Sequence, residues 1–73
     1  MLVTYTRHSR KRMRWRKIEE SDVELVLTSP ERIEPSGKGR INAYRMLEGR
    51  LLKVTYFQEQ NLIKVITAVW KGD

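Results

Sequence analysis

The stretch INAYRMLEGRLLKVTYFQEQNLIKVITAV, residues 41–69, contains three runs rich in β-branched and aromatic residues, separated by polar breaks of three and four residues. Such runs predict β-strands over Ile41–Leu47, Leu51–Phe57 and Leu62–Val69. Because the breaks are short enough for hairpins, we expect an antiparallel meander. Both faces of the last run are largely apolar, which predicts a central strand covered by helices on one side.

The chain before this meander predicts one further strand and two helices. Leu2–Arg7 alternates apolar and polar residues as a strand does, whereas helix-forming residues dominate from Ser9 to about Lys17. The run Ser21–Glu24 matches a capping box that starts a second helix, and a following proline ends this helix near Thr28. Residues 31–40, with one proline and two glycines, are interpreted as a loop.

These elements predict a single α+β domain over residues 1–73. The expected order is β-α-α-β-β-β, with an antiparallel meander sheet and two N-terminal helices packed on one face. The chain has no cysteine and one histidine, which excludes disulfides and the usual thiolate or multi-histidine metal sites, so we expect no metal or other cofactor. Neither a secretory signal nor a membrane-spanning run is visible, and we expect a soluble, cytoplasmic protein.

Positive charge is concentrated in one segment. The chain has a net charge of +6, yet residues 7–17 alone hold seven basic side chains and no acidic one, and the remaining 62 residues hold eight basic and nine acidic side chains. A concentrated field of this kind implies an anionic partner. The basic side chains are Arg7, Arg10, Lys11, Arg12, Arg14, Arg16 and Lys17.

Three of the side chains in this segment have the spacing of a candidate catalytic site. His8, Arg12 and Arg16 recur at intervals of four, so a helix would place them in a slanting row. Histidine suits proton transfer near neutral pH, and arginine suits a phosphate in the transition state. Tyr44 and Lys53 join this row from the sheet if they face the same groove. The alternative is structural, with His8 bonded to backbone and both arginines packed on the sheet.

Other side chains of the segment are candidates for binding rather than catalysis. Long cationic side chains attract phosphate without sequence specificity, and a tryptophan can stack on a nucleobase or pack against the protein. The candidates for nucleic-acid contact are Arg10, Lys11, Arg14, Lys17, Trp15, Lys53 and Tyr44.

The run Tyr5–Met13, followed by Arg16, Ile18, Val23 and a Leu-x-x-Pro element at Leu27–Pro30, resembles a small bacterial family called domain of unknown function 4258. That family is similar in layout to the RelE and ParE toxins, several of which are metal-independent ribonucleases. The resemblance implies a RelE-like layout, a cytoplasmic toxin–antitoxin setting and cleavage of RNA.

Two classes of function follow from these observations. The first is RNA binding with metal-independent endoribonuclease activity at His8, Arg12 and Arg16. The second is a non-catalytic module, which binds either nucleic acid, with RNA favoured over DNA, or an acidic antitoxin-like protein through the basic helix.

Overall fold

Two helices and a five-stranded mixed sheet form residues 2–72, the part of the chain that the structure, a computed structural model, describes. No helix among these residues is long and apolar enough to cross a membrane. The elements are β1 (Leu2–Tyr5), α1 (Arg7–Arg16), α2 (Glu20–Thr28), β2 (Arg32–Gly37), β3 (Arg40–Leu47), β4 (Arg50–Glu59) and β5 (Leu62–Lys71). The predicted α+β class is confirmed.

The sheet has the strand order β1-β5-β4-β3-β2, so β5 lies inside the sheet as its two-sided apolar pattern predicted. β1 pairs with β5 in parallel, and the other neighbours are antiparallel. Both helices pack on one face of the sheet, where Val23 and Val26 of α2 join Leu52 and Val54 of β4 in the core. Each fully buried side chain of this size contributes about 1.5–3 kcal/mol relative to an exposed one.

The β3–β4 connection is a two-residue hairpin, as the short break predicted. Glu48 and Gly49 have φ values of 51° and 82°. Positive φ at both loop residues is typical of a type I′ turn, whose twist matches that of the flanking strands. Glycine adopts this backbone conformation without a steric cost, which explains its place in the second position.

The expectation of a loop over residues 31–40 was wrong. Arg32–Gly37 forms β2, which pairs antiparallel with β3 and adds a fifth strand to the sheet. This strand lies at the edge of the sheet, the position at which a strand tolerates proline. The register shifts between Pro35 and Gly37, immediately before the turn into β3. Proline and glycine therefore mark an irregular edge strand here.

The capping residues of α2 also differ from the prediction. The helix begins at Glu20, and the backbone N–H of Glu19 donates to Asp22 Oδ2 over 3.0 Å. Ser21 lies within the first turn and is exposed, so the reciprocal cap uses Glu19 and Asp22 in place of Ser21 and Glu24. The helix ends at Thr28, as predicted.

β1 is much shorter than the strand beside it. It pairs only with Leu62–Val65, the first four residues of β5. No strand among the described residues pairs with the same side of β5 beyond Val65, and α1 packs along β5 instead. The chain thus changes from strand to helix at Thr6, and α1 occupies the place next to the second half of β5.

Candidate nucleic-acid interface

The first turn of α1 is fixed by Thr6 and Ser9. The Thr6 hydroxyl accepts from the Ser9 backbone N–H over 2.9 Å, and the Ser9 hydroxyl donates to the Thr6 carbonyl over 2.8 Å. The N-cap at Thr6 starts the helix two residues earlier than the sequence predicted. Ser9 and Met13 are buried, so they set the rotation of α1 about its axis and decide which residues face outward.

The outward face of α1 is a cationic stripe with one aromatic side chain. Its residues occur at positions i, i+3, i+4, i+7 and i+8, the spacing that places side chains on one side of a helix. They line an open groove of about 430 Å³. We call this the cationic groove, lined by Arg7, Arg10, Lys11, Arg14 and Trp15.

Arg10 is the one cation of the groove that has a carboxylate partner among residues 2–72. It pairs with Glu20 of α2, and its guanidinium carbon lies 4.8 Å from the centroid of the Tyr5 ring. Tyr5 in turn donates its hydroxyl to Glu24 over 3.4 Å. Burial, helped by the negative charges of Glu24 and Glu20, raises the pKa of Tyr5 far above its ordinary value. Arg10 is therefore held at the border between α1 and the acidic start of α2.

The remaining cations of the groove have no such neutralisation. Arg7, Lys11 and Arg14 are exposed, and no carboxylate of residues 2–72 lies within 4.0 Å of them. Lys11 Nζ lies 5.3 Å from the centroid of the Trp15 ring, and the Trp15 side chain is 67% exposed. The groove thus combines several unpaired positive charges with an exposed indole.

The predicted row of His8, Arg12 and Arg16 lies on the side of α1 between this groove and the buried face. His8 is exposed, whereas Arg12 and Arg16 are half-buried. Arg16 Nη1 donates to the Ala68 carbonyl over 2.8 Å, and the Trp70 indole N–H donates to the Arg16 carbonyl over 3.0 Å. These bonds join the end of α1 to the second half of β5, which pairs with β4 on one side and with no described strand on the other. The bond to the Ala68 carbonyl is a contact with the sheet of the kind that the structural alternative for Arg16 predicted.

Tyr44 and Lys53 lie on the opposite face of the sheet from α1. Lys53 stands between Leu52 and Val54, whose side chains are buried under the helices, so its own side chain points the other way. Tyr44 is the cross-strand partner of Lys53 and shares that face. Tyr44 and Lys53 therefore do not share a groove with the row of His8, Arg12 and Arg16.

Tyr44 belongs instead to a small cluster on the uncovered sheet face. Its hydroxyl donates to Glu34 Oε1 over 2.7 Å, and this hydrogen bond raises the pKa of Tyr44 above its ordinary value. The guanidinium of Arg32 lies 4.1 Å from the ring centroid of Tyr44 and 4.0 Å from the Glu34 carboxylate. We call Arg32, Glu34 and Tyr44 the sheet-face cluster.

Two residues of the basic segment are placed differently from expectation. Arg7 lines the groove, although the sequence interpretation counted it in the basic segment without naming it as a candidate for nucleic-acid contact. The i, i+3, i+4 spacing from Arg7 is the signal that could have found it. Lys17 is exposed but does not line the groove; it ends α1 in the left-handed region with φ of 56°.

The sequence profile of the family described as Domain of unknown function (DUF4258) matches residues 5–70. This chain belongs to that family. The match runs from the end of β1 into β5 and includes the whole of α1. No curated protein and no solved structure matches the chain.

Proposed function

We propose that this member of the DUF4258 family is an RNA-binding domain that holds the sugar-phosphate backbone in the cationic groove of α1. The observation that carries the proposal is the stripe of Arg7, Arg10, Lys11 and Arg14 on one outward helix face. Neutralising phosphates releases condensed counterions, which makes such contacts favourable at moderate salt. The stripe is two turns long, and its helix packs on the sheet through a buried face, so the backbone that carries the charges needs no ordering on binding.

The salt dependence of binding tests this proposal. Four phosphate contacts with a single strand give a slope of about −3 for the logarithm of the association constant against the logarithm of salt concentration. Fluorescence anisotropy with a labelled oligouridylate measures that slope. Arg14→Gln is expected to make it less steep by about 0.7 and to weaken binding about fivefold at 0.1 M salt.

Lys64→Gln is the matched control, because it removes one exposed positive charge from β5 outside the groove. It is expected to leave the slope nearly unchanged. Equal effects of Arg14→Gln and Lys64→Gln on the slope would mean that RNA is attracted by the overall positive charge of the protein and not by the groove. A wild-type affinity that does not vary with salt would overturn the proposal, and binding of an acidic peptide but not RNA would assign the groove to a protein partner.

Ribonuclease activity is the second candidate, and the exposure of His8 favours it. His8 lies one helical turn before Lys11 and Arg12, and thus beside the groove. There a neutral imidazole can take the proton of a 2′-hydroxyl. The 2′-oxygen then attacks phosphorus, and the 5′-oxygen leaves with a proton from water, which yields a 2′,3′-cyclic phosphate.

Incubation of purified protein with labelled RNA in EDTA tests this second candidate. It predicts cyclic-phosphate ends from the wild type and loss of cleavage in His8→Ala, with the circular dichroism spectrum unchanged because His8 is exposed. Cleavage by His8→Ala at the parental rate would contradict the role of His8. If the wild type binds RNA without cleaving it, the ribonuclease candidate is contradicted and the RNA-binding proposal stands.

A further inference from the structure

The two tryptophans of the chain have opposite surroundings. Trp70 is half-buried, donates its indole N–H to the Arg16 carbonyl over 3.0 Å and carries the guanidinium of Arg50 at 4.2 Å from its ring centroid. Trp15 is 67% exposed, and its one cation–ring contact with residues 2–72 is Lys11 at 5.3 Å. The packing of the fold thus uses Trp70, whereas Trp15 leaves most of its indole surface in contact with solvent.

Trp15 lies beside the cations, where the bases of a nucleic-acid strand bound through its phosphates would pass. Arg14 precedes it, and Lys11 lies one turn before it on the same side of α1. Arg7 is two turns from Arg14, a distance of about 10 Å along the helix axis. A nucleic-acid strand whose phosphates follow these cations therefore carries its bases past the indole. Stacking a base on an aromatic ring stabilises binding regardless of the identity of the base.

A stacking contact requires a base whose face is free. In a duplex both faces of each base are covered by neighbouring base pairs, and the major groove of A-form RNA is too deep and narrow for side chains to enter. Duplex RNA can thus offer its phosphates and the 2′-hydroxyls of its shallow minor groove to the cations, but it has no free base face for Trp15. An unpaired strand offers phosphates to the cations and a base to Trp15 at the same time.

We propose that Trp15 makes the cationic groove selective for unpaired RNA over duplex RNA, an inference that rests on the proposed function. The cations supply attraction that is common to both forms, and Trp15 supplies the difference between them. Stacking on the indole does not depend on the identity of the base, so the selectivity that Trp15 supplies is for strandedness and not for sequence.

The experiment compares an oligouridylate with the same oligouridylate annealed to oligoadenylate, at one salt concentration. The wild type is expected to bind the unpaired strand more tightly. Trp15→Ala is expected to weaken that binding about 5- to 150-fold and to leave the duplex affinity within about twofold. Trp15→Phe keeps an aromatic face and is expected to retain most of the preference. Leu25→Ala, which truncates an exposed apolar residue of α2, is the control and should change neither affinity.

Intrinsic fluorescence supplies a second measurement that a structural role would not affect. Oligouridylate is expected to quench the emission of the wild type but not that of Trp15→Ala, in which Trp70 remains. Thermal unfolding of each variant confirms that the exposed position tolerates the change. The wild-type chain is also titrated with an oligodeoxyuridylate and with duplex DNA.

Each outcome bears on one proposal or the other. Equal loss of both affinities in Trp15→Ala, or no loss in either, would overturn the selectivity while leaving RNA binding intact if Arg14→Gln still weakens it. Tighter binding of either DNA than of the unpaired RNA would assign the groove to DNA and contradict the proposed function. If Arg14→Gln has no effect on any ligand, the proposed function itself fails.

Discussion

The cationic groove and the sheet-face cluster both combine arginine with an aromatic ring, yet their charged groups have different surroundings. In the cluster, Arg32 lies over Tyr44, and Glu34 accepts the Tyr44 hydroxyl. Every charged group there has a partner within the cluster. In the groove, Arg10 alone has a carboxylate partner among residues 2–72, and Trp15 is exposed. A cation beside an aromatic ring therefore indicates a binding surface only where the cation has no carboxylate partner in the protein and the ring is exposed.

Removal of the Tyr44 hydroxyl tests the structural side of this comparison and has the largest expected effect on stability. Tyr44→Phe deletes the 2.7 Å hydrogen bond to Glu34 and keeps the ring beneath Arg32. We expect the free energy of unfolding to fall by about 1 kcal/mol, measured by urea denaturation, with RNA affinity unchanged. Trp15→Phe is the matched aromatic variant and should leave stability nearly unchanged. A loss of RNA affinity in Tyr44→Phe would place the sheet-face cluster in the interface.

The difference in stability between the wild type and Tyr44→Phe is expected to depend on pH. Because the hydrogen bond to Glu34 raises the pKa of Tyr44 in the folded state, folding favours the protonated hydroxyl. The stability that this bond contributes is complete below the ordinary tyrosine pKa of 10.0 and declines as the pH rises through the higher folded-state value. The difference in stability between wild type and Tyr44→Phe should therefore shrink in strongly alkaline solution.

Lys17→Gly separates charge within the groove from charge elsewhere in the basic segment. Lys17 has φ of 56° at the end of α1, where its N–H donates to the Arg14 carbonyl over 3.3 Å. Glycine adopts this conformation without the steric cost, although it loses more backbone entropy on folding, so we expect a net gain of about 0.5 kcal/mol in stability. RNA affinity should fall less than in Arg14→Gln. An equal fall in RNA affinity would mean that Lys17, outside the groove, contributes as much to binding as Arg14 inside it.

Glu20→Gln has the smallest expected effect and tests whether the protein's own acidic side chain competes with RNA. The change frees Arg10 from its ion pair, so RNA affinity should rise about two- to threefold at low salt. Glu59→Gln, at an exposed site on β4, raises the net charge equally and serves as the control. Identical gains in the two variants would assign the effect to net charge alone.

The sequence predicted the elements whose periodic patterns are strong and missed those that depend on tertiary position. The meander and the end of α2 were predictable from β-branched runs and a proline. β2 was missed because Pro35 and the nearby glycines favour a loop, and only an edge position makes them compatible with a strand. The α2 cap was misplaced because serine is a more common capping residue than Glu19.

The candidate site was predictable in composition but not in arrangement. The concentration of charge in residues 7–17 is visible in the sequence, whereas the outward face of α1 depends on which residues the sheet buries. Arg7 was counted in the basic segment, but it was not named as a candidate for nucleic-acid contact. The pairing of Arg16 with the Ala68 carbonyl depends on the early end of β1, which no local pattern in the sequence reveals.

The bonds between the end of α1 and β5 bear on the heat capacity change that accompanies binding. Two hydrogen bonds tie the end of α1, the helix that carries the groove, to β5. A shift of α1 toward a ligand would leave the Ala68 carbonyl without the Arg16 guanidinium and the Arg16 carbonyl without the Trp70 indole N–H. RNA must therefore adapt its shape to a rigid helix. We expect calorimetry to record a small negative heat capacity change, because little apolar protein surface is newly buried.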